Sequence, residues 1–162
     1  MFFRTFTFSN ILINTLLILL WHMLCFVLCI KCNPSVYNPN KKMFQPKKWE
    51  RNGKWYESKL HIKKWKDHLP QHAGKDGFSK KHFTNLSLEY IDIFIVETCR
   101  AEWNHKMSCI YIIITFIISP LPIAIIFSIF TILANVPFFI IQRYNRFRLL
   151  RVKQKLYKSR KD

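Results

Sequence analysis

Two stretches without a charged residue, Ile11 to Ile30 and Met107 to Ile141, sit in a chain whose net charge is +17. That separation constrains the fold more than any single motif. Such a charge opposes compaction, whereas long apolar runs demand burial, so one water-soluble core accommodates the two poorly. The first run has 20 residues, with Asn14, Thr15 and His22 as its polar members; about 20 apolar residues in a helix cross a hydrocarbon core of about 30 Å. The second run has 35 residues and is interrupted by Ser119-Pro120-Leu121-Pro122. One helix of that length overshoots a bilayer, and prolines remove backbone donors and bend the path. Two helices meeting at the prolines fit better, as a hairpin or, because the arm from Met107 to Ser119 is short, as a re-entrant segment. The expected fold class is therefore an all-α integral membrane protein: an N-terminal membrane helix, interfacial amphipathic helices and a Pro-broken C-terminal membrane hairpin, three membrane-embedded helices in all.

The expected organisation is an N-terminal transmembrane or signal-anchor helix over 1–30, a basic aromatic-rich interfacial domain over 31–106, a membrane hairpin or re-entrant segment over 107–141, and a basic tail over 142–162. The first run reads as an uncleaved anchor, because Arg4 alone precedes it and no small-x-small cleavage pattern follows Cys29. Lys31, Lys41, Lys42, Lys47 and Lys48 follow the first span, and nine basic residues follow Gln142. The positive-inside rule then places residues 31–106 and the tail in the cytoplasm of a multi-pass cell-membrane protein. Five cysteines, an odd number, give no disulfide framework.

Between the apolar runs, Phe44 to Leu69 interleaves Trp49, Trp55, Tyr56 and Trp65 with lysines, around a break at Asn52-Gly53. That mixture suits the lipid headgroup layer. It also describes single-stranded nucleic-acid binders, but the flanking membrane segments favour lipid, and no nucleic acid is expected as a partner. From about Leu86 to Lys106 the periodicity predicts an amphipathic helix with Ile95, Val96, Cys99, Trp103 and Met107 on one side. Glu97, Arg100, Asn104 and His105 lie on the opposite arc, with Glu102 at its edge.

This arc is the candidate catalytic set. Glu102 and His105 are i and i+3, as are Glu97 and Arg100, so each pair is within reach on a helix. A carboxylate that holds one imidazole nitrogen leaves the other as a base, the logic of His-driven acyl and proton transfer. Arg100 can hold an anionic group or a developing oxyanion. The plainer reading is a charged membrane flank with surface pairs worth about 0.2–0.5 kcal/mol each. Other signals are weaker. His68 and His72 have the spacing of some zinc pairs, but Pro70 lies between them and no further ligands cluster nearby, so no metal is expected. His72 and Asp76 are one residue short of the His-x4-Asp pattern of glycerolipid acyltransferases. There is no Gly-x-Ser-x-Gly elbow and no phosphate-cradling glycine loop. Asn135 and Pro137, inside an apolar helix, suggest a polar notch facing a ligand or another helix.

In the order "GKWY…KKWKD.LP", "ETCRAEWNH", "ANVP…QRYNR.RL", the chain resembles the glycosyl-4,4'-diaponeurosporenoate acyltransferase family of staphyloxanthin-type carotenoid biosynthesis, over most of residues 44 to 150. Family members often carry Trp directly after the His of the second block; here Lys106 stands there. The resemblance implies a bacterial membrane acyltransferase that moves a fatty acyl chain to a sugar hydroxyl of a glycosylated carotenoid. It implies membrane lipid, a lipid-soluble carotenoid and an acyl thioester donor as partners, no cofactor beyond that thioester co-substrate, and association with other enzymes of the pathway. On chemistry, His105, Glu102, Arg100 and Glu97 are the expected catalytic residues, and Asn135, Gln142, Arg143, Asn145, Trp65 and Asp67 the expected substrate contacts. The reading from a different class is a non-catalytic membrane scaffold or accessory subunit whose charged faces bind lipid or a partner.

Overall fold

The computed structural model describes residues 2–70 and 87–160, with backbone only for 2–7. The loop expected around residues 70–85, with His72, Lys75 and Asp76, lies almost wholly outside the described residues. Every regular element among the described residues is helical: α1 (Phe2–Lys31), α2 (Lys54–Ser58), α3 (Ile62–Trp65), α4 (Leu88–Ser108), α5 (Tyr111–Ile118) and α6 (Leu121–Ser159), with short 3-10 turns between Pro34 and His68. The chain divides into two compact units, Met1–Val36 with Arg100–Ile140, and Tyr37–Cys99 with Ile141–Asp162.

The first unit is built from α1, the path from Arg100 through α5, and the first half of α6. Cys29 Sγ donates to the Arg100 carbonyl (3.6 Å) and Trp21 Nε1 to the Met107 carbonyl (3.1 Å). Asn14 meets Tyr111, Thr115 and Ser119. Residue numbers fall along α1 as they rise along its neighbour, so the two run antiparallel. Ser119 is extended (φ −130°, ψ 151°), as a residue before proline prefers, and Pro122 sits in the first turn of α6, where its missing donor costs nothing. The break therefore falls at the prolines.

α1 from Phe8 and α6 are long and apolar enough to cross a membrane. The third expected membrane helix differs. α5 has 8 residues, about 12 Å of rise against a core of about 30 Å. A turn at Cys109–Ile110 separates it from α4, marked by i to i+3 bonds such as Ile113 N–H to the Ile110 carbonyl (2.9 Å). Between α1 and α6 the unit is thus completed by α5 and the charged end of α4, because the apolar sequence before Ser119 is too short for a spanning helix.

Asn14 is matched inside this unit, whereas Asn104 Oδ1 and Ser128 Oγ are buried without a hydrogen-bond partner among the described residues. The Asn14 amide donates to Ser119 Oγ (2.7 Å) and to the Asn10 carbonyl (2.8 Å), while its oxygen accepts from Thr115 Oγ1 (2.8 Å). Tyr111 donates its hydroxyl to the Asn14 carbonyl at 2.8 Å. In apolar surroundings such bonds hold helices together, at about 0.6 kcal/mol on average and up to about 2 kcal/mol each. The outer faces are apolar: Ile117 is 78% and Leu133 64% exposed.

The second unit is organised around one left-handed turn. Arg51 (φ 48°), Asn52 (φ 54°) and Gly53 (φ 89°) are consecutive positive-φ residues, so the Asn-Gly break is real and tight. A Cβ on Gly53 would stand 3.0 Å from the Phe147 Cβ, so glycine is demanded both by conformation and by the close approach. Tyr37, Phe44, Tyr56, Ile62, Tyr144 and Phe147 are buried around it. A second cluster joins Ile91, Ile95 and Leu149, flanked by Phe94, Leu150 and Leu156. The aromatic-lysine stretch is thus folded into short turns and helices that bury Tyr56 and leave Trp49 exposed. α6 passes through 141/142 without interruption and ends at Ser159.

α4 carries a packing stripe different from the expected one. Ile91, Ile95, Thr98, Cys99 and Glu102 are buried, whereas Val96, Trp103 and Met107 are only half-buried. Helical spacing alone centres the stripe on the apolar residues. Thr98 and Glu102 join it because each finds a local partner, the Ile95 carbonyl (2.7 Å) and Lys106 Nζ (2.5 Å).

Candidate active site

Four of the expected site residues, Arg100, Glu102, His105 and Asn135, belong to the first unit, and Glu97, Gln142, Arg143, Asn145, Trp65 and Asp67 to the second. In the first unit, His105 and Asn135 meet. His105 Nδ1 lies 3.1 Å from Asn135 Oδ1, and its ring stacks on Phe138, with centroids 5.4 Å apart and planes at 18°. α4 presents the imidazole, and the turn of α6 from Asn135 to Phe138 supplies both the amide and the aromatic face. Phe139, next on α6, receives Lys106 Nζ 5.1 Å from its ring centroid.

Asn135 has further partners. Its Nδ2 donates to the Thr131 carbonyl (3.0 Å) and meets His22 Nε2 at 3.1 Å. His22 Nδ1 in turn lies 2.8 Å from the Ile18 carbonyl. Since Thr131 O only accepts, the amide must present Nδ2 there, and Oδ1 then faces His105 and accepts its Nδ1–H. The His105 Nε2 is left as the lone pair, with no hydrogen-bond partner among the described residues. Burial pushes the His105 imidazole below its usual value, and His22 adds to the effect, partly offset by the Asn135 bond. A neutral imidazole with one nitrogen held and the other open is the arrangement a general base requires.

Glu102 does not supply the orienting partner that i, i+3 spacing suggests. It is fully buried and accepts from Lys106 at i+4, while Nδ1 of His105 is taken by an amide 30 residues later in the chain. Lys106, which stands outside the polar arc, is therefore the counter-charge of a buried carboxylate. Lys106→Ala is expected to lower stability by about 1–3 kcal/mol, the cost of leaving a buried charged group short of a partner, seen as a drop in the thermal unfolding midpoint of the purified protein. Arg100 is half-buried and Glu97 is exposed.

In the second unit, Arg143 is buried and bonded within the protein. Its Nε and Nη2 bond Glu50, Nη2 at 2.8 Å from Oε2, and Nη2 also reaches the Gln45 carbonyl at 2.9 Å. Tyr56 donates its hydroxyl to Glu50 Oε1 (2.5 Å) and the Lys47 N–H to Oε2 (2.5 Å). Burial alone would raise the Glu50 pKa, but Arg143, Tyr56 and the Lys47 amide outweigh it and hold the carboxyl below its usual range. Glu50 carried no signal in the sequence beyond being one acid among many lysines. Asp67 is exposed and ion-paired with Lys66, Trp65 donates Nε1 to the Leu60 carbonyl (2.8 Å), and Gln142 and Asn145 are half-buried. Among the described residues, no three of His, Cys, Asp and Glu converge as a metal site.

His22 is the site residue that the sequence did not single out. It is the one imidazole in a first apolar run whose other polar members are Asn14 and Thr15, and a lone ionisable residue in such a run is a functional signal in its own right.

The sequence model of glycosyl-4,4'-diaponeurosporenoate acyltransferase matches residues 40–155. A relative of that name from Staphylococcus haemolyticus is 34% identical over 122 residues, covering 74% of this chain and 71% of its own. One from Staphylococcus aureus is 31% identical over 119 residues, 72% of each chain. No solved structure matches. The matched region includes His105 and Asn135 as well as Glu50 and Arg143, and on this evidence the chain is an acyltransferase and belongs to the glycosyl-4,4'-diaponeurosporenoate acyltransferase family.

Proposed function

We propose that the protein transfers a fatty acyl chain from a thioester to a sugar hydroxyl of a glycosylated carotenoid at the cell membrane. The observation that carries the chemistry is His105, with Nδ1 held by Asn135 and Nε2 open. Nε2 takes the proton of the sugar hydroxyl as its oxygen attacks the thioester carbonyl. The tetrahedral intermediate collapses with cleavage of the C–S bond, and the imidazolium returns its proton to the departing thiolate, so an ester and a free thiol leave. The Arg100 guanidinium, five residues earlier on α4, supplies positive charge for the oxyanion or for an anionic group of the acceptor.

The family names of the relatives support a carotenoid acceptor, and the apolar outer faces of α1, α5 and α6 support a site that draws both substrates from lipid. The basic flanks support an orientation with residues 31–106 and the tail on the cytoplasmic side, where acyl thioesters of CoA or of a carrier protein are supplied.

Mass spectrometry of pigments and lipids from otherwise matched cells with and without the protein tests this reading. An acylated glycosyl carotenoid is expected only with the protein, and its unacylated precursor is expected to accumulate without it. Identical profiles in cells that make the precursor would remove the proposed reaction.

A further inference from the structure

The geometry points to His22 as a positioning residue that, together with the Thr131 carbonyl, holds Asn135 in the orientation that sets the tautomer of His105. This rests on the reading of His105 as the base. The argument needs only the donor and acceptor inventory. The Ile18 carbonyl, 2.8 Å from His22 Nδ1, can only accept, so Nδ1 carries the proton and a neutral His22 presents Nε2 as a lone pair. That lone pair, 3.1 Å from Asn135 Nδ2, demands a donor, and the Thr131 carbonyl, at 3.0 Å from the same nitrogen, demands the other amide proton. Both hydrogens of Nδ2 are thereby used, and Oδ1 is left to accept from His105 Nδ1 at 3.1 Å. Nδ1–H on His105 means a lone pair on Nε2. Two backbone carbonyls thus fix a chain of three side chains that ends in a base.

The same inventory shows what breaks it. A protonated His22 places Nε2–H against the amide donors of Asn135. The Thr131 carbonyl still holds one amide hydrogen, but the other then meets a donor, and the grip of Asn135 on His105 Nδ1 loosens. Both imidazoles must therefore be neutral for transfer. The other titratable groups on the surrounding elements of this unit are Arg100, Glu102, Lys106 and Cys109 on α4 and just after it, Tyr111 on α5, and Arg4, Cys25, Cys29 and Lys31 on α1; α6 brings none between Leu121 and Ile140. Glu102 and Lys106 are paired to each other, and Tyr111 donates to the Asn14 carbonyl.

The test uses the full chain in lipid bilayers, with histidine labelled by nitrogen-15, and acyl-transfer rates on a glycosyl carotenoid with acyl-CoA and acyl-carrier-protein thioesters. Nitrogen shifts report the tautomer without any substrate. In the wild type both His22 and His105 are expected as Nδ1–H tautomers, and in His22→Ala, where the Thr131 carbonyl alone holds the Asn135 amide, a share of the His105 signal is expected to appear as the Nε2–H form. Transfer is expected to fall about 10–100-fold in His22→Ala, the scale on which loss of an outer orienting partner acts, with the loss in kcat. His22→Gln, whose side-chain oxygen accepts from Asn135 without titrating, is expected to recover most of the rate. A His105 tautomer indifferent to His22→Ala, or Gln and Ala variants equally impaired, overturns the proposal. Should His22→Ala fail to accumulate, His22→Gln alone decides, through whether His105 keeps its Nδ1–H tautomer and most of the rate. A His105→Ala protein that still transfers at near the wild-type rate instead removes the base itself, which separates the two failures.

Discussion

His105→Ala is expected to lower the acyl-transfer rate about 10²–10⁴-fold, the range in which a general base acts. The measurement is the initial rate of ester formation by the full chain in membranes, at matched protein level, with acyl thioester and glycosyl carotenoid supplied. The loss should fall on kcat, since in the proposed reaction the imidazole meets the reacting hydroxyl rather than the body of either substrate. Because His105 also stacks on Phe138, the unfolding midpoint of the variant belongs beside the rate. A change of a few degrees with a hundredfold loss of rate is the signature of a chemical role. The pH dependence has a defined sign. Burial pushes the His105 pKa below the usual imidazole value, so the base stays neutral to lower pH and the acid limb should lie below about pH 6.5. Retention of activity within threefold in His105→Ala would move the base elsewhere.

Arg143→Met is expected to be the most damaging substitution for stability, at about 3–5 kcal/mol. It removes the cation from a fully buried carboxylate and leaves Glu50 uncompensated. Lysine should rescue poorly, since one ammonium cannot reproduce a guanidinium that bonds both Glu50 oxygens and the Gln45 carbonyl. The pair Glu50→Leu with Arg143→Met should recover much of the loss, because replacing both partners of a buried ion pair by apolar groups is often near neutral. Chemical denaturation in detergent, followed by tryptophan fluorescence, separates these cases. Equal unfolding midpoints for the single and double variants would refute the pairing as the cause. Glu50 also sets an acid limit. Its folded pKa is depressed, so its contribution is fully present above the unfolded value of about 4.3 and is lost as pH falls through the lower folded value. Stability attributable to this cluster should therefore be flat near neutrality and decline only in the acid range below about pH 4.

The residues around His105 divide according to how far apart their partners lie in the chain. An i, i+4 bond such as Glu102–Lys106 is within the reach of helical spacing. The nearer i, i+3 choice of Glu102 with His105 looks equally good on paper and was the wrong partner for the ring. Spacing ranks both alike because it knows the angle between side chains but not which side the rest of the protein covers. In the fold Glu102 is buried and pairs with Lys106, while the His105 ring meets Asn135.

Composition and local pattern were enough to set the two apolar runs, the helix break at Ser119-Pro120, the long helix from Leu88, and the turn at Asn52-Gly53. Each of these follows from backbone chemistry within a few residues: transfer of apolar side chains from water, the missing proline donor, and glycine's freedom at positive φ. The motifs holding His105, Asn135 and Arg143 also stood out as blocks. Their partners did not. His105 meets Asn135 across 30 residues, Asn135 meets His22 across 113, and Arg143 meets Glu50 across 93. Those pairings were decided by how separate helices pack, which brings one turn of each to a common depth and selects, from many chemically acceptable donors and acceptors, the few that arrive there together. Helical period carries no information about that depth. The sequence therefore determined which segments form helices and which are apolar enough to lie in a membrane, and only the tertiary structure decided that His105 is held by an amide linked to a second histidine and that Arg143 is bound to a carboxylate.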